Sequence, residues 1–192
     1  MKVIFLDFDG VITIPPKWHL NPDKIKYIKR IVEETNAKIV VSSSWRHGLE
    51  RNFEWALEDM PDNEMIIWLR DNILDITPII GLGNGRGGEI QKWLNEHPDV
   101  DNYVILDDDG DMWDSQLYHF VQTNYENGIG EAEVTYAIKI LNRLYVYNWL
   151  GLNFELRGEW QKKCQGLPNK VEELKQYNDL TQDFHNRYLN TE

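Results

Sequence analysis

Two groups of aspartates could carry out chemistry in this 192-residue chain. Asp7 directly follows the apolar run of residues 3–6 and Asp9 comes two residues later, while Asp107 and Asp108 follow the apolar run of residues 103–106. Clustered carboxylates repel one another and are costly to bury unless a cation lies between them. Mg²⁺ prefers hard oxygen ligands. The two groups together therefore predict a magnesium site, although a capped turn would explain the first pair alone.

Both groups stand at the ends of predicted strands. Short apolar runs of this kind are typical of strands that are buried on both faces. They occur at residues 3–6, 39–41 and 103–106, with a fourth strand expected at 117–121. Amphipathic helical patterns alternate with them, at residues 21–35, 87–98 and 131–144. In the first helix we expect Asn21 to be the N-cap and Pro22 the first helical residue.

Alternating strands and helices predict an α/β fold with a doubly wound parallel sheet. In such sheets ligands bind beyond the carboxyl ends of the strands. Asp7, Ser42 and Asp107 each come directly after a predicted strand. We therefore expect these three side chains to line one crevice.

The composition limits the class of protein. Apolar residues make up 42% of the chain and charged residues 27%, which is typical of a globular protein. The net charge of −12 argues against non-specific binding to a nucleic-acid backbone. The single cysteine, Cys164, excludes an intramolecular disulfide and fits a reducing compartment. No run is long enough to span a bilayer, so we expect a soluble, cytoplasmic protein with no membrane partner.

We expect a catalytic domain over residues 1–144 and a helical C-terminal extension over residues 145–192. The extension leaves open a homo-oligomer that forms through it. Residues 47–85 form an insert that would either cover the site as a partial cap or complete the sheet through residues 72–80. Only a short flap fits between Thr13 and Asn21, so the site is predicted to have little or no cap.

Three motifs resemble those of the haloacid-dehalogenase-like (HAD-like) phosphohydrolases. FLDFDGVIT at residues 5–13 is similar to their first motif, KIVVSSSWR at 38–46 to their second, and YVILDDDGD at 103–111 to their fourth. With RGGEIQKWL at 86–94, the set looks closest to the HAD domains of Swiss Army Knife RNA repair proteins. The resemblance covers roughly residues 1–143 and implies a HAD-like Rossmannoid fold.

The resemblance also implies a role for each motif residue. Asp7 would be the nucleophile that forms an aspartyl-phosphate, and Asp9 the general acid and base. Ser42 would donate its hydroxyl to a phosphate oxygen. Asp107 would hold Mg²⁺ together with Asp7 and the backbone carbonyl of Asp9, and Asp108 would bind the ion directly or through water.

The third motif supplies a cation to the phosphate, and two residues compete for this role. Arg86 precedes the predicted helix and can donate to a phosphate through two N–H groups. Lys92 lies further into the helix, where a solvated face is the simpler explanation. Ser43 competes with Ser42 for the phosphate, whereas Ser44 is expected to cap the next helix.

Aromatic residues follow several of the motif strands. Trp18, Trp45 and Trp113 could stack on a nucleotide base, or they could simply pack loops onto the core. Arg46 could bind phosphate or pair with a surface acid. These four residues are the candidate substrate contacts.

The function predicted from the sequence is a magnesium-dependent phosphomonoesterase. Its expected substrate is a nucleotide or another small phosphorylated molecule, which the acidic charge favours. The alternative is a phosphatase that acts on the 5′ or 3′ end of RNA or DNA, which an open site favours. A non-catalytic phosphate- or metal-binding protein is the contrasting class.

Overall fold

A computed structural model describes residues 1–16, 19–46, 63–80 and 85–142. The strands are β1 (Lys2–Leu6), β2 (Lys38–Val41), β3 (Ile73–Ile76), β4 (Asn102–Asp107) and β5 (Phe120–Gln122). The helices are α1 (Pro22–Thr35), α2 (Glu64–Asn72), α3 (Gly85–Glu96), a 3₁₀ helix (Asp114–His119) and α4 (Glu131–Leu141). The five strands form a parallel sheet in the order β3-β2-β1-β4-β5. The predicted α/β fold with a doubly wound parallel sheet is confirmed.

Alternating side chains of the central strand divide the core into two layers. Ile4 and Leu6 pack in the layer that contains the buried faces of α1, α2 and α4. Val3 and Phe5 pack in the opposite layer, with Ile90 of α3. Because successive side chains of a strand point to opposite faces, the residue after Leu6 belongs to the α3 side of the sheet.

The alternation of side chains between the two faces continues into polar residues at the carboxyl edge of the sheet. The backbone N–H groups of Asp7, Ser42 and Thr77 donate to carbonyls of the neighbouring strands at 2.9, 3.0 and 2.9 Å. The parallel ladder therefore extends one residue beyond β1, β2 and β3. Together with Asp107, the last residue of β4, these residues form a row along the edge, on the side of α3.

The ends of α1 and α3 agree with the sequence patterns to within two residues, and α4 begins as predicted but ends at Leu141, three residues before the predicted end. Asn21 caps α1 by accepting a hydrogen bond from the backbone N–H of Asp23 at 3.0 Å, and Pro22 is the first helical residue. Both expectations are confirmed. Helix α3 begins at Gly85, two residues earlier than predicted, and ends at Glu96. Arg86 thus lies in the first turn of the helix.

The strand expected at residues 117–121 is wrong over its first half. A 3₁₀ helix runs to His119, and β5 begins at Phe120. The cause is the buried side chain of Gln116, which accepts a hydrogen bond from the backbone N–H of Trp113 at 3.0 Å and donates one to the carbonyl of Gly87 at 2.8 Å. An apolar run cannot reveal a turn that a single amide side chain holds.

Part of the insert completes the sheet. Strand β3 lies at the edge beside β2, so residues 73–76 of the expected stretch 72–80 belong to the sheet. Residues 47–62 and 81–84 lie outside the described residues, as do the expected domain boundary at 144 and the extension over 145–192. Among the residues that the structure describes, no helix is long and apolar enough to cross a membrane.

Gly10 makes the turn that separates Asp9 from the following flap. Its φ of +65° lies in the left-handed region, which side chains with a Cβ rarely adopt. A Cβ at this position would lie 2.4 Å from Cγ of Asp108. The absence of a Cβ at Gly10 therefore allows both the backbone conformation of the turn and the close approach of Asp108.

We predict that Gly10→Ala lowers the free energy of unfolding by about 2–4 kcal/mol, because backbone strain adds to the collision with Asp108. Chemical denaturation measures the change. Gly130→Ala is the matched control, since Gly130 has a φ of −137° and its nearest neighbour is the flexible end of Glu133. The control should change the free energy by less than about 1 kcal/mol. Equal losses in the two variants would contradict this account.

Candidate active site

Three aspartates meet at the carboxyl edge of the sheet. Asp7 follows β1, Asp107 ends β4, and Asp108 comes next in the chain. One carboxylate oxygen from each lies within 4.8 Å of the other two. Asp7 and Asp107 are buried, and Asp108 is partly buried. This is a set of hard oxygen donors of the kind that Mg²⁺ and Ca²⁺ prefer.

The electrostatics of this group indicate a shortage of positive charge. Burial, together with the charge of Asp7, raises the pKa of Asp107 to about 8, although Arg86 opposes the shift. Burial and Asp7 also raise the pKa of Asp108. In addition, Oδ2 of Asp107 is buried and has no hydrogen-bond partner among the described residues. A divalent cation would offset the negative charge and coordinate the oxygen that lacks a hydrogen bond.

Arg86 brings positive charge to the group from the first turn of α3. Its Nη1 lies 3.2 Å from Oδ1 of Asp7 and also donates to the carbonyl of Ser42, and its Nε lies 3.7 Å from Oδ2 of Asp107. Burial alone would lower the pKa of Arg86, but the charges of Asp7, Asp107 and Asp111 outweigh it and raise the pKa.

The other candidate cation, Lys92, faces away from the aspartates. Its Nζ pairs with Glu96 on the exposed surface of α3. This is the solvated face that the sequence suggested for it. Of the two candidates, Arg86 is the one in contact with Asp7.

Asp111 fixes the start of α3 beside the aspartates. Its Oδ2 accepts a hydrogen bond from the backbone N–H of Arg86 at 2.9 Å, and its carbonyl accepts one from Gly87 at 3.4 Å. An anion at a helix N-terminus is favourable, because the first N–H groups have no partner within the helix. The acidic segment that supplies Asp107 thus also anchors the helix that supplies Arg86.

The serines after β2 have different environments. The hydroxyl of Ser42 is buried without a hydrogen-bond partner among the described residues, in the row beside Asp7. The hydroxyl of Ser43 is also buried and accepts a hydrogen bond from the backbone N–H of Trp45 at 3.3 Å. The capping contact that we expected from Ser44 is therefore made by Ser43, and Ser44 is exposed. Ser42 has the hydroxyl that a ligand could satisfy.

The carboxylate of Asp9 lies outside the group of three aspartates. The hydroxyl of Thr13 donates to its Oδ1 at 2.7 Å, and the indole N–H of Trp45 donates to its Oδ2 at 2.9 Å. The ring of Trp45 also packs edge-on against Phe8, with centroids 5.6 Å apart. Two donors therefore fix the orientation of Asp9. Its backbone carbonyl as a metal ligand stays a prediction.

The structure answers the question of what Arg46 pairs with. Its guanidinium is buried and lies 2.5 Å from the carboxylate of Glu89, so the partner is an acid, as in one of the two alternatives. The acid, however, is buried rather than on the surface. Burial lowers the pKa of Arg46, even though Glu89 opposes the shift. Arg46 as a direct phosphate ligand does not fit this geometry.

The remaining predicted contacts are aromatic. Trp113 is 45% exposed and precedes the 3₁₀ helix. A Cβ on Gly87 would lie 2.9 Å from its ring, so Trp113 flanks the first turn of α3. Trp18 lies outside the described residues.

Two polar residues of the site were not expected from the sequence. Thr77, in the row beside Ser42, is buried, and its hydroxyl has no hydrogen-bond partner among the described residues. The apolar run before it would have indicated another strand end. Glu89, the partner of Arg46, had no signal in the sequence, because it lies 43 residues away in the chain.

Comparison of the sequence with known protein families agrees with this geometry. Residues 3–134 match the family described as the HAD domain in Swiss Army Knife RNA repair proteins. Neither the curated proteins nor the solved structures include a match to the chain. HAD domains of this kind point to a phosphohydrolase and generally use a divalent metal. Since the match covers more than half of the 192 residues, the chain belongs to the family of HAD domains in Swiss Army Knife RNA repair proteins.

Proposed function

We propose that this protein is a magnesium-dependent phosphomonoesterase that acts through an aspartyl-phosphate on Asp7. Its substrate is a nucleotide or another small phosphorylated molecule. The observation that carries the proposal is the contact of Arg86 with a group of three carboxylates at the ends of β1 and β4. A phosphate ester needs positive charge around it and an oxygen nucleophile. Asp7 would provide the nucleophile, and Arg86 together with a bound Mg²⁺ would provide the positive charge.

Mg²⁺ would be held by the carboxylates of Asp7, Asp107 and Asp108 and by the backbone carbonyl of Asp9. The close approach of the three carboxylates supports this assignment, as does Oδ2 of Asp107, which has no hydrogen bond among the described residues. When bound, the ion supplies the positive charge that offsets the repulsion between the Asp7 carboxylate and an anionic phosphate.

Ser42 and Arg86 would bind the phosphoryl group. The buried hydroxyl of Ser42 would donate to one of its oxygens and thereby gain the partner that it lacks. Arg86 would donate to the oxygens through its planar guanidinium, which already lies beside Asp7. These contacts would hold phosphorus next to the nucleophile.

Asp7 and Asp9 would divide the chemistry between them. An oxygen of Asp7 attacks phosphorus and the ester P–O bond breaks, while a protonated Asp9 gives its proton to the leaving oxygen. Asp9 then takes a proton from water, which attacks the aspartyl-phosphate and releases inorganic phosphate. The hydrogen bonds from Thr13 and Trp45 to Asp9 keep its carboxyl group in one orientation.

A phosphatase for RNA or DNA ends is the second candidate. The family description, which names RNA repair proteins, favours it. The net charge of −12 opposes it, because a nucleic-acid strand is itself a polyanion.

The first prediction tests whether the protein is an enzyme. With Mg²⁺, the wild-type protein should hydrolyse 4-nitrophenyl phosphate, and Asp7→Asn should reduce kcat by at least about 1,000-fold, because an amide oxygen is a poor nucleophile. Asp71→Asn, on the exposed surface of α2, is the control and should keep full activity. If wild type and Asp7→Asn both fail to turn over any phosphate ester, the protein is a binding protein.

The second prediction separates the two candidate cations. Arg86→Ala should lower kcat/KM by about 100-fold, because it removes a charged donor to the phosphoryl group. Lys92→Ala removes one positive charge from the same helix and should leave kcat/KM within about twofold, since its ion pair is exposed. Steady-state kinetics with one aryl phosphate measure both variants. A larger loss in Lys92→Ala than in Arg86→Ala would reverse the assignment.

The third prediction concerns the substrate. Phosphate release is compared for mononucleotides, sugar phosphates and oligonucleotides with a 5′ or 3′ phosphate, each at low and high salt. We expect the highest kcat/KM with a small substrate and little dependence on salt. Preference for an oligonucleotide, with activity that falls steeply as salt rises, would instead support the second candidate.

A further inference from the structure

A buried ion pair joins the loop after β2 to helix α3. The Nη2 atom of Arg46 lies 2.5 Å from Oε2 of Glu89, and the two side chains are only 5% and 11% exposed. Arg46 comes four residues after Ser42, and Glu89 lies one helical turn after Arg86. The pair therefore connects the two segments that carry the predicted phosphate ligands.

Stability alone is a poor reason for such a pair. Removing two charges from water costs several kcal/mol for each ion, and apolar residues of similar volume often stabilise a core equally well. Arg46 is also repelled by the nearby charge of Arg86. A buried pair under these conditions is better explained by the geometry that it imposes.

Arg46 imposes geometry on the backbone of its own loop. Its Nη1 donates to the carbonyls of Ser42 and Ser43, each at 2.7 Å. The Ser42 carbonyl also accepts from Arg86. A guanidinium presents its donors in a fixed plane, so Glu89, by orienting Arg46, fixes both carbonyls relative to α3.

The loop held in this way reaches Asp9 through Trp45. Trp45 is the residue directly before Arg46, and its indole N–H donates to Oδ2 of Asp9 at 2.9 Å. A shift of the loop would therefore move the donor that orients the Asp9 carboxyl. The contacts form a continuous chain from Glu89 through Arg46 and Trp45 to Asp9.

We propose that Glu89 and Arg46 are positioning residues that orient Asp9 through Trp45 and thereby control proton transfer to the leaving group. This inference rests on the proposed function, in which Asp9 is the general acid. It assigns to Glu89 an effect on the two proton transfers that Asp9 makes, of which only the transfer to the leaving group depends on which ester is hydrolysed.

A comparison of two esters with different leaving groups tests this inference. An ester with a poor leaving group, phenyl phosphate, needs the proton from Asp9 more than 4-nitrophenyl phosphate does. In Glu89→Gln we expect kcat/KM, which reports the steps up to departure of the leaving group, to fall by about 100-fold for phenyl phosphate, as for a misplaced catalytic group. For 4-nitrophenyl phosphate it should fall by less than about tenfold. Glu96→Gln is the matched control, because it removes the same charge from the exposed end of α3. It should leave both rates unchanged.

A second readout does not depend on activity. The indole N–H resonance of Trp45, assigned by its loss in Trp45→Phe, reports the hydrogen bond to Asp9. This resonance should shift in Glu89→Gln and stay in place in Glu96→Gln. Arg46→Lys keeps the charge but loses the planar set of donors, and it should reproduce both effects if Glu89→Gln does not fold.

Failure of the positioning role and failure of the proposed function give different results. Equal losses for the two esters with an unmoved indole resonance would overturn the positioning role while leaving the proposed function intact. If the wild-type protein hydrolyses neither ester, the proposed function fails, and the indole resonance still decides whether the pair orients Asp9.

Discussion

Repulsion among Asp7, Asp107 and Asp108 is the interaction on which the arrangement of this site depends. Parallel pairing of β1 with β4 places the ends of the two strands side by side, so the carboxylates that follow cannot avoid one another. Burial removes the water that would otherwise screen them, and the raised pKa of Asp107, about 8, reflects this strain. Every cation near the group therefore stabilises it, and positive charge beside the acids reduces their repulsion of a substrate phosphate.

Helix α3 supplies a positive charge that offsets part of this repulsion. Its first turn carries Arg86, which contacts Asp7 and Asp107. Asp111 and Gln116 hold that turn in place through the backbone of residues 86 and 87. Because these anchors belong to the segment that follows β4, the same stretch of chain positions Asp107, Asp108 and the arginine beside them. The contacts that pack the first turn of the helix thus also place its positive charge beside the acids.

Much of this architecture was predictable from local patterns. Buried strands appear as short apolar runs, so the strand ends and the aspartates that follow them could be located, and the cap of α1 follows from Asn21 and Pro22. The partners of buried polar groups were not predictable, because they depend on packing between distant segments. The pairing of Arg46 with Glu89, the indole of Trp45 on Asp9, and the Gln116 contacts that replace part of a strand are the clearest examples.

Direct measurement of metal binding tests the central claim, that the aspartates hold a divalent ion. Isothermal titration calorimetry with Mg²⁺ compares the wild-type protein with Asp108→Asn and with Asp109→Asn, whose exposed side chain lies one residue further along. We expect one site in the wild type and in Asp109→Asn with similar Kd values, and a Kd at least about tenfold weaker in Asp108→Asn. Absence of binding to the wild-type protein, or the same Kd in all three, would contradict the account.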